Sequence, residues 1–194
     1  GISGCTLCST ATPYAKAGNG QTCVTLASCS IVDDNGSLTI PASVTSIANE
    51  AFKGCSRLIS LSFSSGSLLS MIGYSAFRNS GLHGSITLPA SLTSIANEAF
   101  RDCSSLSSVN LEHDSLLTEI GWAAFSGTSL KKCFIIPDGS GNIVIPASIT
   151  SIAPLAFYGC SSLTSMSFEN SQLLTIGSTA FGGSNLIGSI TIPS

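Results

Sequence analysis

The sequence has little charge, few aromatic residues and no long apolar run. Asp, Glu, Lys and Arg together make up 9% of the 194 residues, against roughly 25% in an average globular protein. The formal net charge of −3, without a cluster of Lys and Arg, argues against binding to nucleic acid or to an anionic membrane surface. Ser, Thr or Gly interrupts the apolar residues every few positions, so no segment approaches the roughly 20 apolar residues of a membrane-spanning helix.

The sequence also lacks an initiator Met and a signal sequence. It begins Gly1-Ile2-Ser3, which is expected both of a processed secreted protein and of a fragment of a longer chain. It ends one strand into a further repeat, which predicts either a fragment or an edge that another molecule covers.

What the sequence does have is a repeat. The segment 41–63, PASVTSIANEAFKGCSRLISLSF, returns with few changes at 89–111 and at 146–168, and shorter relatives lie between the copies. An Ala-Phe pair marks each copy, and counting along the sequence gives spacings of 25, 23, 25, 32 and 24 residues, a period typical of solenoids. The marker residues are Phe52, Phe77, Phe100, Phe125, Phe157 and Phe181.

These patterns predict an α/β repeat solenoid, mostly β, of six units with short parallel strands. Each unit holds one short run of alternating apolar and polar residues, typical of a half-buried strand, a second short extended run, and a segment with room for one helical or 3₁₀ turn. The phenylalanines should form one buried column. We place the units near 41–63, 64–88, 89–111, 112–145, 146–168 and 169–194, and expect 138–142 to be a loop outside the coil.

Residues 1–37 do not match the repeat and should form a Cys-rich N-terminal cap, followed by the solenoid at 38–194. The cap has little apolar material, so two disulfides among its four cysteines are the favoured prediction, with zinc binding the weaker alternative. Four cysteines allow three pairings, and the sequence does not choose among them. The cap cysteines are Cys5, Cys8, Cys23 and Cys29.

Three further cysteines, Cys55, Cys103 and Cys160, recur at one position of every second unit. Two units correspond to about 10 Å at the usual strand spacing, which is too far for these cysteines to pair with one another. We therefore interpret all three as free thiols that act as small buried hydrophobic residues. Cys133 has no evident partner.

The repeat resembles the BspA-like, or Treponema pallidum-type, leucine-rich repeats. The residues that carry the resemblance are Ile40-Pro41, Val44, Ile47, Ala51-Phe52, Cys55, Leu58 and their later counterparts. The resemblance covers about residues 38–194 and implies a right-handed leucine-rich-repeat coil. It further implies secreted or surface proteins of bacteria and protists that serve in adhesion and protein binding, with no enzymatic activity and no cofactor.

The positions that the repeat leaves free are the candidates for contact with a partner. Tyr74 and Trp122 fall at an outward position where other units have Asn49, Asn97, Pro154 and Ser178. A row of polar strand residues is a second candidate, although such residues also serve as soluble strand fillers. The row comprises Ser60, Ser62, Ser85, Thr87, Ser108, Asn110, Ser165 and Ser167. Asn35 lies in the N-glycosylation sequence Asn35-Gly36-Ser37.

Outside the cap cysteines, no arrangement of residues predicts catalysis or metal binding. His113 adjoins Glu112 and Asp114, but we interpret this cluster as a solvated corner because no nucleophile motif accompanies it. Lys53 and Arg101 each follow a glutamate by three residues, which predicts local ion pairs.

The sequence as a whole favours a non-catalytic extracellular or cell-surface protein for adhesion or for binding a protein or glycan. The main alternative is a subunit of a filament that self-associates through its C-terminal edge, and a minor one is ice binding by the hydroxyl rows.

Overall fold

The structure is a computed structural model that describes residues 14–16, 22–24, 28–130, 132–135, 144–145, 147–161, 167–168 and 175–187. In chain order its elements are β1 (Tyr14–Lys16), β2 (Thr22–Val24), a 3₁₀ turn (Ser28–Ile31), β3 (Ser37–Ile40), β4 (Val44–Ile47), β5 (Ser60–Phe63), β6 (Met71–Ile72), β7 (Gly84–Leu88), β8 (Ser94–Ile95), β9 (Leu106–Leu111), β10 (Glu119–Ile120), β11 (Lys132–Ile135), β12 (Val144–Ile145), β13 (Ser151–Ile152), β14 (Ser167–Phe168) and β15 (Thr175–Ile176).

The strands form a parallel solenoid, as the repeat predicted. One sheet has eight strands in the order β1-β2-β4-β6-β8-β10-β13-β15, and apart from the antiparallel β1–β2 hairpin every pairing in it is parallel. The remaining strands pair in three groups, β3-β5, β7-β9-β11 and β12-β14. Each of the first five units therefore contributes one strand to the eight-stranded sheet and at least one to the other side of the coil. Within the described part of the chain, no helix is long and apolar enough to cross a membrane.

A column of stacked phenylalanine rings runs through the core. The six rings predicted from the Ala-Phe pairs lie face to face, with neighbouring centroids 5.1–5.5 Å apart and planes within 2–9° of parallel. The first five rings are fully buried, and Phe181 is half-buried. The centroid spacing follows the strand spacing of about 4.8 Å because each ring is held at the same place on successive coils.

The turn around each phenylalanine has an alternating backbone conformation instead of a helical one. The residue two before each phenylalanine has a positive φ of 50–59°, although none of these six residues is glycine: Glu50, Ser75, Glu98, Ala123, Leu155 and Thr179. This left-handed conformation costs a non-glycine residue about 1–2 kcal/mol. It turns every second N–H along the solenoid axis, so that Glu50 and Phe52 donate to the carbonyls of Tyr74 and Ala76 in the next unit at 2.7–2.8 Å. These inter-unit hydrogen bonds offset the strain.

The N-terminal segment joins the solenoid in two ways. Strand β2 pairs in parallel with β4 and extends the eight-stranded sheet, and Cys29 forms a disulfide with Cys55 of the first unit. The prediction of a free Cys55 is therefore wrong. The prediction that Cys29 pairs within the N-terminal segment is wrong as well. The physical reason is that Cys29 continues the column of Cys55 one unit earlier, with Cα atoms 5.5 Å apart, close enough for a disulfide. Cys5, Cys8 and the side chain of Cys23 lie outside the described residues.

Among the described residues, the 32-residue interval between Phe125 and Phe157 contains three strands, β11, β12 and β13, whereas each of the other intervals contains two. β11 pairs with β9, and β12 pairs with β14. The predicted loop at 138–142 lies between these strands and outside the described residues.

Candidate functional site

The outward side of the eight-stranded sheet presents in-register columns of side chains. Met71, Ser94, Glu119 and Ser151 occupy equivalent positions on successive strands. Two positions after the last residue of each strand comes the column that contains Tyr74 and Trp122. The position directly before this second column is always Gly or Ala, and each glycine there packs closely against the preceding unit.

The first four units alternate between Ala followed by Asn and Gly followed by an aromatic residue. The side-chain oxygen of Asn49 accepts a hydrogen bond from the backbone N–H of Tyr74 at 2.8 Å, and Asn97 does the same for Trp122 at 2.8 Å. The backbone and side chain of each asparagine pack directly against the glycine that precedes the aromatic residue. A Cβ at Gly121 would lie 2.5 Å from the backbone nitrogen of Asn97, so an Ala-Asn unit requires a glycine at this position of the unit after it.

The two aromatic side chains are fixed at the backbone and open to solvent. Tyr74 is 41% exposed and Trp122 is 38% exposed. The guanidinium carbon of Arg101 lies 5.7 Å from the centroid of the Trp122 ring, within the range of a cation–π contact. Both residues therefore lie where the sequence placed them, on the outer surface and two units apart.

A groove of about 350 Å³ lies beside Tyr74, over the third and fourth units. Its floor is the backbone and small side chains of Ser94 to Asn97, and its further side is formed by Glu119 to Gly121 together with Ser151 and Ala153. The groove exists because the third unit has Ser94 and Asn97 where the second has Met71 and Tyr74.

Glu98 lies behind this surface in an ion-pair cluster. Its side chain is 8% exposed and pairs with Arg78 of the preceding unit and, at 3.2 Å, with Arg101. Asp102 lies 3.5 Å from Arg101 and 3.9 Å from Arg78. The predicted local pairs Lys53–Glu50 and Arg101–Glu98 are confirmed, and the additional contact with Arg78 ties two units together.

The polar row on the other side of the coil is partly occupied by its own hydrogen bonds. Ser60 and Ser62 bond to Ser37 and Thr39 at 3.4 and 2.8 Å, and Asn110 donates to Ser85 at 3.0 Å. Thr87 is exposed, whereas Ser108 is half-buried. Ser165 and the side chain of Ser167 lie outside the described residues.

A second hydroxyl row lies at the start of the short strands of the eight-stranded sheet. Ser70, Thr93, Thr118 and Thr150 each donate to a backbone carbonyl of the preceding unit at 2.9–3.3 Å. These hydroxyl groups connect successive units, so their donors are not directed toward solvent.

The other two cysteines of the repeat are free and buried, as predicted. The Cys103 thiol donates to the carbonyl of Phe77 at 3.0 Å and lies 3.3 Å from the Ser80 hydroxyl. Burial raises the pKa of the Cys103 thiol to about 11 from 9.0, so it is protonated at neutral pH. Cys160 lies 3.6 Å from Thr128 in the same way.

The described residues contain no group of three or more His, Cys, Asp or Glu side chains that could hold a metal ion. His113 and Asp114 lie 3.0 Å apart on an exposed corner, where their side chains are 84% and 89% exposed. Asn35 is exposed in a turn in which Asp33 accepts hydrogen bonds from the N–H groups of Asn35 and Ser37.

Sequence reasoning missed the hydrogen bonds of Asn49 and Asn97 and the contact of Glu98 with Arg78. A signal for the first was present: Ala-Asn is followed in the next unit by Gly and an aromatic residue both times. The second depends on the left-handed turn at Glu98, for which a glutamate gives no signal.

The fold and the columns of repeated contacts define this chain as a leucine-rich-repeat solenoid. The sequence pattern of the BspA type leucine rich repeat region matches residues 29–140 and 139–194 in six copies, and the chain belongs to that family. Among curated proteins, none is similar to this chain in sequence.

Several solved structures match this chain, one of them with a TM-score above 0.5. A leucine-rich repeat protein from Eubacterium ventriosum has 17% identity and a TM-score of 0.56, with 82% of this chain and 42% of that one covered. The pneumococcal vaccine antigen PcpA has 23% identity and a TM-score of 0.49, covering 81% and 51%. A leucine rich cell surface protein from Faecalibacterium prausnitzii has 21% identity and a TM-score of 0.36, covering 81% and 60%. The chain thus spans about half the length of the structures it matches.

Proposed function

We propose that this chain is a non-catalytic extracellular module for adhesion or for binding a protein or glycan. Its binding face would be the outward side of the eight-stranded sheet around Tyr74 and Trp122. Proteins with this repeat are generally binding or adhesion proteins of bacterial surfaces. The Cys29–Cys55 disulfide supports an extracellular location, because such bonds persist in oxidising compartments.

The observation that carries the proposal is the pair of exposed aromatic side chains on a rigid backbone. The packing of the coil does not need them, since Asn, Pro and Ser occupy the same position in other units. Tyr and Trp are enriched among the residues that contribute most to binding energy. Hydrogen bonds from their N–H groups to Asn49 and Asn97 hold the backbone in place, which lowers the entropy cost of binding.

The test compares wild-type protein with a Tyr74→Ser/Trp122→Ser variant on a panel of immobilised extracellular-matrix proteins, mucins and glycans, by biolayer interferometry. We expect at least about a thirtyfold loss of affinity, from roughly 2 kcal/mol lost at such positions. Tyr158→Ser is the matched control, since Tyr158 is also exposed, at 48%, but lies at a different position of its unit. Unchanged binding by the double variant would show that the face is wrong, and a wild-type protein that binds nothing on the panel would contradict the adhesion role.

A further inference from the structure

The groove beside Tyr74 has the size of a small-ligand site. Its volume of about 350 Å³ lies at the lower end of the roughly 300–1,000 Å³ typical of such sites. One or two sugar rings fit that volume. The register places Ser94 next to Glu119 on adjacent strands, about 4.8 Å apart, so the groups that line the groove converge on one short stretch of surface.

Four residues that line the groove carry polar groups with no partner among the described residues. These groups are the hydroxyl of Tyr74, the hydroxyl of Ser94, the side-chain amide nitrogen of Asn97 and the carboxylate of Glu119. The other atom of the Asn97 amide, its oxygen, is occupied by Trp122 and fixes the orientation of the amide. The four groups thus combine a pure donor, a pure acceptor and two hydroxyls that do both. This combination suits the adjacent hydroxyl groups of a sugar, each of which also donates and accepts.

The ring of Tyr74 adds an apolar wall. The face of an aromatic ring is electronegative, whereas the C–H bonds on one face of a sugar ring have a small positive charge. A sugar that stacks on Tyr74 would therefore pack its apolar face against the ring and direct its hydroxyls toward Glu119 and Asn97.

Glu119 is the charged residue among those that line the groove. A negative charge at this position repels acidic sugars and phosphorylated ligands and leaves neutral ones unaffected. We propose that this groove binds a neutral sugar residue of a glycan. The inference rests on the proposed binding function and names the ligand class of one part of the face.

The experiment is a two-dimensional ¹H–¹⁵N NMR titration of the protein with lactose, cellobiose, N,N′-diacetylchitobiose and 3′-sialyllactose. At least one neutral disaccharide should shift the backbone amides of 94–97 and 119–121, and sialyllactose should bind about tenfold more weakly than lactose. Tyr74→Ala should weaken the neutral interaction about tenfold, whereas Tyr158→Ala should leave it unchanged. Glu119→Gln should reduce the discrimination against sialyllactose, and thermal unfolding verifies that each variant is folded.

Shifts confined to other parts of the surface, or no shift with any neutral probe, would overturn the inference. Equal binding of sialyllactose and lactose would overturn the assignment to neutral sugars. The proposed function has a separate outcome, because a protein ligand that is lost in the Tyr74→Ser/Trp122→Ser variant leaves that function standing even if no sugar binds.

Discussion

Glu98 shows how a single buried charge can connect two units. Its carboxylate contacts Arg78 of the preceding unit and Arg101 of its own, and its side chain is 8% exposed. Its counterpart Glu50 has the same left-handed conformation, with φ of 59° against 57°, but within the described part of the chain its carboxylate pairs with the exposed Lys53 of its own unit and with no arginine. A comparison of substitutions at Glu98 and Glu50 therefore separates the effect of side-chain burial on stability from the effect of the left-handed backbone.

We predict that Glu98→Gln lowers the free energy of unfolding by about 1–2 kcal/mol. The loss is smaller than for a fully buried pair because both arginines remain partly hydrated. Glu50→Gln, the control, should cost no more than about 0.5 kcal/mol, as for other exposed pairs. Urea denaturation monitored by Trp122 fluorescence measures both variants, and equal losses would mean that the inter-unit contact has no stabilising effect.

Substitution of Gly121 tests the alternation of Ala and Gly between successive units. Because a Cβ there would lie 2.5 Å from a backbone atom, Gly121→Ala should destabilise the protein by about 3 kcal/mol through overpacking. Gly66→Ala is the control, since Gly66 has a positive φ of 71° but open space around it, and should cost about 1 kcal/mol. Thermal unfolding in which Gly121→Ala is as stable as Gly66→Ala would contradict the account of the Ala-Asn and Gly-aromatic units.

The strands and the phenylalanine column could be predicted from the sequence because they follow from periodicity. Val44 and Ile47 are apolar residues on either side of two polar ones, and Phe52 recurs at a fixed place, so their burial requires no knowledge of neighbouring units. The asparagine hydrogen bonds could not be predicted in this way. They depend on which residue of the next coil lies opposite Asn49, and that register follows from the pairing of β4 with β6.

The Cys29–Cys55 disulfide could not be predicted for the same reason, because it depends on which residues of successive coils lie opposite each other. Cys29 is not preceded by the Ala-Phe pair that marks the copies of the repeat, so its alignment with Cys55 emerges only when β2 pairs with β4. Of the candidate site, the exposure of Tyr74 and Trp122 followed from the sequence, whereas the groove between unequal units required the packing.

The Cys29–Cys55 disulfide should increase the free energy of unfolding of the whole solenoid. In a repeat protein stability is a sum of unit and interface contributions, and the N-terminal cap covers the first interface. The bond closes a loop with a sequence separation of 26, for which chain entropy corresponds to about 3 kcal/mol.

We therefore expect Cys29→Ala/Cys55→Ala to lose about 3 kcal/mol beyond any packing effect. Cys160→Ala is the matched control, because Cys160 has the same position in its unit and is a free, buried thiol. Chemical denaturation with and without reductant measures the effect, and a double variant no less stable than Cys160→Ala would rule out a role for the disulfide in holding the cap.

The location of the binding face is the central claim, and a hydrogen–deuterium exchange footprint tests it most directly. The protein is compared free and bound to the ligand that it selects from the panel of extracellular-matrix proteins, mucins and glycans. We predict that protection is confined to the outward side of the eight-stranded sheet, in peptides covering 71–75, 94–98 and 119–123. Protection centred instead on the polar row of β5, β7 and β9, with these peptides unchanged, would contradict the claim.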